Sequence, residues 1–306
     1  MRILIVGAGA IGGYFGGRLL QAGRDVTFLV RPGRAGELAR DGLVIKSPHG
    51  DATIPNPPAV QAAALTPDYD LVVLSCKAFD LDDAIASVRP GIGPRTTILP
   101  LLNGLKHLDV LEAAFGSDRV LGGQCVIAAT LDAQRRVVQL APMSAITFGE
   151  RDGTMPERVT RIASALGGSD FGVNVSPVIM QEMWEKWVFL ATLAGSTSLM
   201  RGAVGDILAA PGGADFMLGV LDEITAIAAA AGHPPRPAAV DRTRGMLLAE
   251  GSTLTASMFR DIRAGARIEA DHVIGDLIVR ADEARVPVSR LRVIHTHLKT
   301  YERQRR

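Results

Sequence analysis

The stretch from Ile3 to Arg31 constrains the fold more than any other. Four apolar residues, Ile3-Leu4-Ile5-Val6, lead into Gly7-Ala8-Gly9-Ala10-Ile11-Gly12. A helical stretch follows to Ala22, Gly23 stops it, and a second apolar run from Val26 to Val30 ends at Arg31. A Gly-x-Gly-x-x-Gly match alone is a weak signal, but a strand before it and a helix after it make this one strong. Gly7 permits the tight turn, Gly9 lets the backbone approach a pyrophosphate, and Gly12 lets the helix lie close to the strand. The pyrophosphate of a dinucleotide sits at such a helix N-terminus, where unpaired N–H groups and the helix dipole favour negative charge.

The same unit indicates which dinucleotide. NAD-binding units carry an Asp or Glu about 20 residues after the turn, accepting from the ribose 2′-hydroxyl. Here Val30 is followed by Arg31-Pro32-Gly33-Arg34. Two guanidinium groups stand where a carboxylate would repel a 2′-phosphate, which points to NADP.

At 306 residues the chain has room for two domains, and its 47% hydrophobic content is ordinary for a globular protein. A formal net charge of +1 gives no bias towards nucleic acid or anionic membrane. The basic end, Arg303-Gln304-Arg305-Arg306, reads as a solvated tail. Cys76 and Cys125 form no Cys-x-x-Cys pair, which fits a reducing compartment, and a strand starting at residue 3 leaves no room for a signal peptide; the expectation is a cytoplasmic protein. Trp187 to Met200 is too short and too rich in Ser and Thr to span a bilayer.

Beyond Arg31 a short helix is expected over 36–40, then a hairpin of Leu43-Val44-Ile45 with Ala52-Thr53-Ile54. Leu71 to Ser75 and Thr97 to Leu102 read as buried parallel strands with a helix over 82–88 between them. They end in Cys76-Lys77 and Asn103-Gly104, at the sheet edge where ligands of open α/β sheets bind. Short strands at 120–131, 137–140 and 145–148 are expected to extend the sheet in antiparallel fashion. A helix over 157–166 and a strand at 173–175 finish the domain. The fold class is therefore α/β, with an N-terminal Rossmann-type doubly wound sheet over 1–176 and an all-helical C-terminal domain over 177–306. That Ala-rich helical half is a candidate homodimer interface.

The helix opening the second domain places Met180, Met183, Trp184, Trp187, Val188 and Ala191 on one apolar stripe. Lys186 lies off the stripe, and the pattern alone makes it a surface lysine paired with Glu182. A second cluster runs from Thr255 to Arg263, with Ile268-Glu269-Ala270-Asp271 after it; Ser257 reads equally as a helix N-cap or a ligand, and Glu269 as a carboxylate at a helix start or a functional group. His295 and His297, two apart on a helix, make a poor metal pair, and no metal site is expected. There is no Gly-x-Ser-x-Gly elbow and no Walker loop.

Taken in order, Gly7 to Gly12, Arg31, Ser75-Cys76-Lys77, Leu102-Asn103-Gly104, Met183-Trp184-Glu185-Lys186-Trp187, and Ser257-Met258-Phe259-Arg260-Asp261 with Glu269 resemble the ketopantoate reductase (2-dehydropantoate 2-reductase) family nearly end to end. The resemblance implies NADPH held by Gly7, Ala8, Gly9, Ala10, Ile11, Gly12, Arg31, Lys77, Asn103, the backbone near Ala128, and Glu269. It implies a catalytic lysine at Lys186, substrate contacts from Asn103, Lys186 and Ser257, and an active-site glutamate at Glu269. The implied reaction is hydride transfer to a small-molecule 2-oxo acid, reducing 2-dehydropantoate to pantoate on the route to pantothenate and coenzyme A.

One departure bears on substrate. The family's helix carries asparagines one and two turns after the lysine, and here those positions are Leu190 and Ala194, with Ser196, Thr197 and Ser198 as the nearest polar substitutes. Losing such partners loosens discrimination for a substrate hydroxyl. A related NADP-dependent reductase of another branched keto acid is the alternative, and a non-catalytic NADP(H)-binding sensor is a second.

Overall fold

A computed structural model describes residues 1–305. The chain divides into two compact units: 1–102 with 107–180, and 103–106 with 181–306.

The first unit holds two five-stranded sheets. One is wholly parallel, in the order β5-β2-β1-β6-β7, from β1 (Ile3–Val6), β2 (Val26–Leu29), β5 (Ala59–Val60), β6 (Leu71–Leu74) and β7 (Thr97–Pro100). Its central strands are continuous apolar runs because both faces are covered; all four residues of β1 are at most 5% exposed. The second sheet runs β10-β9-β3-β4, from β3 (Leu43–Lys46), β4 (Ala52–Ile54), β9 (Val137–Gly149) and β10 (Gly172–Val175), and β8 (Gly122–Leu131) pairs antiparallel with β9. This sheet is mixed, with β3 and β10 parallel to β9, and the antiparallel pair β8–β9 belongs to it instead of extending the parallel sheet. A single bridge, Ile98 to Val120, marks where β8 leaves β7.

The helix Ala10–Gln21 explains how two sheets share one core. Its glycines form two rows one turn apart. A Cβ on Gly12 would lie 3.0 Å from Ile5 Cγ2, and one on Gly16 would lie 2.5 Å from Phe28, both in the parallel sheet. On the other side, a Cβ on Gly13 would lie 2.9 Å from Val137 and one on Gly17 would lie 2.6 Å from Ile45, both in the second sheet. Each helical glycine costs about 1 kcal/mol relative to alanine. Close approach on both faces offsets that cost by letting Ile5, Phe28, Leu43, Ile45, Val137 and Phe148 join one buried cluster.

The helix after β2 spans Pro32–Asp41, starting four residues before the sequence expectation. Pro32 occupies its first turn, where a fixed φ suits the helix and a missing N–H costs nothing. The expected strands at 137–140 and 145–148 are one strand, β9. Register passes from Ile127↔Ser144 to Ala129↔Gln139, so Pro142 falls in a bulge where no ladder bond needs its nitrogen.

The second unit is helical apart from its loops. Ile179–Met200 enters it at Gln181, and Val204–Ala209, Gly213–Ala230, Pro237–Leu247, Ser257–Arg263, Asp276–Ala284 and Ser289–Gln304 follow. A π-helical turn, Asp271–Gly275, leads directly into Asp276–Ala284. The basic end is more tied down than a tail: the last helix reaches Gln304, and Arg305 Nε donates to the Gly265 carbonyl at 2.7 Å. Arg306 lies outside the described residues. No helix among the described residues is long and apolar enough to cross a membrane.

Candidate active site

In the first unit, the parallel register aligns Val6 with Leu29 and with Leu74, so Gly7, Val30-Arg31 and Ser75-Cys76-Lys77 leave the sheet along one edge. Gly7 takes φ +93°, the left-handed region that an L side chain rarely adopts. Gly9 caps the helix Ala10–Gln21, and a Cβ there would meet nothing within 4 Å. Gly12 has no such room: its Cβ would lie 2.2 Å from the Gly7 carbonyl and 2.4 Å from Ser75 Oγ, a hydroxyl that itself donates to the Val6 carbonyl at 3.1 Å. The turn is a cradle with an open mouth at the helix N-terminus and a closed back against β1 and β6, which fits a pyrophosphate. Ala8 is buried, and Ala10, Ile11 and Lys77 are half-buried around this edge. Ala128 lies in the β8 irregularity, where the register skips it.

The two arginines after β2 differ in role. Arg31 is 67% exposed, and its Nη2 donates to Asp80 Oδ1 at 3.0 Å and Asp83 Oδ2 at 3.2 Å. Arg34 is 11% exposed; its Nε donates to the Ala8 carbonyl at 3.1 Å and its Nη1 to Glu37 Oε2 at 2.8 Å. The two guanidiniums that the sequence offers for a 2′-phosphate are thus engaged differently, Arg31 by surface carboxylates and Arg34 by the Ala8 carbonyl and Glu37.

In the second unit, Lys186 is half-buried on the helix Ile179–Met200, between Glu185 and the buried Trp187. Glu185 is committed elsewhere: it accepts from Arg236 through Nε at 2.7 Å and Nη2 at 2.6 Å, and from the Arg236 backbone N–H at 3.0 Å. Burial acts to raise the Glu185 pKa, but these bonds outweigh it and hold the carboxyl below its usual range. Trp187 Nε1 donates to the Val273 carbonyl at 3.0 Å, fixing the lysine-bearing helix to the π-helical turn. Arg280 stacks over Trp184 and Trp187 at 5.6 and 5.7 Å and pairs with Asp276 at 3.0 Å.

Glu269 is half-buried and directly precedes the helical residue Ala270, as expected for a carboxylate at a helix start. Ser257, also half-buried, is the first residue of its helix; the cap is Ala256, whose N–H reaches Thr197 Oγ1 at 3.5 Å, so the N-cap reading of Ser257 is corrected. Sequence reasoning missed His272. Its ring is 8% exposed, donates to the Asn103 backbone, and packs under Gly104, where a Cβ would lie 3.2 Å from Cδ2. The available signal was its spacing, one turn after Glu269 on the same helix face. Burial depresses its pKa; Glu269, Asp276 and the Asn103 backbone act against that, and Lys106 acts with it. Through His272 and Trp187 the second unit gathers Asn103, the segment after Glu269 and the helix bearing Lys186.

Leu190 is half-buried and Ala194 is 2% exposed. Ser196, Thr197 and Ser198 are each 0% exposed; the Thr197 hydroxyl donates to the Leu193 carbonyl at 2.7 Å. All three are thus fully enclosed in this structure. Among the described residues no cluster of His, Cys, Asp and Glu could hold a metal ion.

A Rossmann-type sheet with a glycine cradle, joined in sequence to a helical unit carrying a half-buried lysine, defines a dinucleotide-dependent oxidoreductase. Two family models place it further: "Ketopantoate reductase PanE/ApbA" matches residues 3–153, and "Ketopantoate reductase PanE/ApbA C terminal" matches 178–302. The chain belongs to the ketopantoate reductase family. It is 35% identical over 305 residues to the "uncharacterized oxidoreductase YkpB" of Bacillus subtilis, covering 100% of both chains. The crystal structure of 2-dehydropantoate 2-reductase from Geobacter metallireducens is 27% identical, with a TM-score of 0.89 over 98% of this chain and 99% of the other. D-mandelate dehydrogenase, solved with NADH and anilino(oxo)acetate, matches with a TM-score of 0.89 over 100% of this chain and 99% of the other; at 19% identity that likeness concerns the fold.

Proposed function

We propose that the chain reduces a 2-oxo acid with NADPH, and that the acid is 2-dehydropantoate, giving pantoate for pantothenate and coenzyme A synthesis. The observation that carries this reading is the conjunction of the glycine cradle with Lys186, Ser257 and Glu269 in one chain matched by both family models. Bound NADPH would supply a hydride to the ketone carbon. Gly7, Gly9 and the N–H groups opening the helix Ala10–Gln21 would hold its pyrophosphate, and Arg31 with Lys77 its 2′-phosphate. Ala128 would offer its backbone, and Asn103 and Glu269 would flank the nicotinamide. Lys186 stabilises the charge that develops on the carbonyl oxygen and then protonates that oxygen. Ser257 hydrogen-bonds the polar end of the acid, and Asn103 orients the carbonyl.

Leu190 and Ala194 favour a second reading, a related reductase whose keto acid lacks the hydroxyl those positions usually serve. A panel of 2-oxo acids assayed for NADPH and NADH oxidation separates the two. Efficient turnover of 2-dehydropantoate supports the first; negligible turnover of it beside rapid turnover of a less polar acid supports the second. A non-catalytic sensor would bind cofactor, turn over no panel member and be indifferent to Lys186→Ala. As working expectations the enzyme is cytoplasmic and homodimeric through its helical unit.

A further inference from the structure

The guanidinium on which cofactor choice turns is already held. Arg31 Nη2 lies 3.0 Å from Asp80 and 3.2 Å from Asp83, while Arg34 is engaged by Ala8 and Glu37. Asp80 caps the helix Leu81–Val88 and Asp83 sits in its first turn, where the helix dipole favours negative charge whether or not Arg31 is present. Both carboxylates would thus persist if a ligand took the arginine from them.

A 2′-phosphate brings about −1.5 to −2 charges and needs the Arg31 fork turned towards it. It must compete with two carboxylates for that guanidinium. A ribose 2′-hydroxyl brings no charge, needs no guanidinium drawn from the aspartates and can donate to a carboxylate. We propose that Asp80 and Asp83 are cofactor-specificity determinants: by occupying Arg31 they hold down the preference for a 2′-phosphorylated dinucleotide and keep the unphosphorylated one usable. This rests on the reading of Arg31 as the 2′-phosphate ligand.

The test titrates NADPH and NADH, followed by protein fluorescence, against the wild type, Asp80→Asn/Asp83→Asn, Arg31→Ala and the triple variant. Asparagine keeps the volume of these side chains, and thermal unfolding checks that the variants fold. The double variant should raise the ratio Kd(NADH)/Kd(NADPH) about three- to tenfold, as expected for two exposed ion pairs. In the Arg31→Ala background the same substitutions should leave the ratio within about twofold. No rise with Arg31 present, or an equal rise without it, overturns the proposal, the latter because it reports only a general field. Wild-type NADPH affinity in Arg31→Ala would remove the 2′-phosphate reading and the proposal together. NADPH binding that needs Arg31 but ignores the aspartates removes the proposal alone.

Discussion

The glycine turn after β1 and the polar cluster of the helical unit are built in opposite ways. At the turn the working surface is backbone, exposed because side chains are missing: Gly7 has the φ of +93° and Gly12 has the Gly7 carbonyl 2.2 Å from its absent Cβ. In the helical unit the proposed working surface is side chains, Lys186, Ser257 and Glu269; Trp187 ties the lysine-bearing helix to the turn after Glu269, and His272 ties that turn to Asn103. Adding atoms should therefore damage the first region and removing atoms the second.

The largest expected effect is on Lys186. Lys186→Ala should lower kcat by about 10²- to 10⁴-fold, the range for a positioned general acid, with cofactor affinity little changed; steady-state rates beside cofactor titration measure it, and unchanged kcat would give Lys186 back to the surface reading. Gly12→Ala should cost about 1–3 kcal/mol or more by overpacking against backbone, read from urea unfolding. Gly9→Ala is the sharper probe, because its Cβ meets nothing within 4 Å. It should unfold like the wild type yet bind cofactor at least about tenfold more weakly, some 1.4 kcal/mol; loss of stability instead would mean that Gly9 serves the fold. Trp187→Phe removes the indole donor to the Val273 carbonyl and should cost about 1 kcal/mol, with KM rising as the lysine-bearing helix loosens.

The smallest effect is in pH. The buried His272 imidazole sits below its ordinary 6.5, so the unfolded chain binds a proton that the folded chain does not. Its contribution to stability is complete above about pH 6.5 and is lost as pH falls through that value towards the folded pKa. His233 and His297 are also depressed by burial and act in the same direction. Unfolding midpoints at about pH 7.5 and 5.5 should converge in His272→Gln relative to the wild type; parallel slopes would show that the imidazole does not carry the effect.

The two regions also differed in how far the sequence disclosed them. The β1 strand and its turn were legible because continuous apolar runs and glycines report local backbone needs. The helix over 157–166 was found to the residue, its apolar positions Val159, Ile162 and Leu166 marking one face. The two strands expected at 137–140 and 145–148 are one, because the partner strand supplies an irregularity that accommodates the stretch around Pro142. The helices Lys106–Phe115 and Val204–Ala209 were passed over, the second being only six residues long. Arg31 stood out as a cation directly after an apolar run, yet its carboxylate partners lie 49 and 52 residues away in sequence and leave no local trace. Lys186 read as a surface residue because periodicity reports which side of a helix is apolar, not how far a neighbouring residue is covered.

The helix that touches both sheets has a consequence for how such a chain can vary. Because Gly12 and Gly16 close against one sheet while Gly13 and Gly17 close against the other, a methyl added on either side cannot be accommodated by sliding the helix, which would drive it into the opposite layer. Relief would have to come from trimming a partner such as Phe28 or Ile45 in the same step. Substitutions at Gly13, Gly16 and Gly17 and at their sheet neighbours should therefore be strongly non-additive, tolerated in matched pairs and rejected singly, whereas Gly12, closed against the Gly7 carbonyl, should have no such rescue.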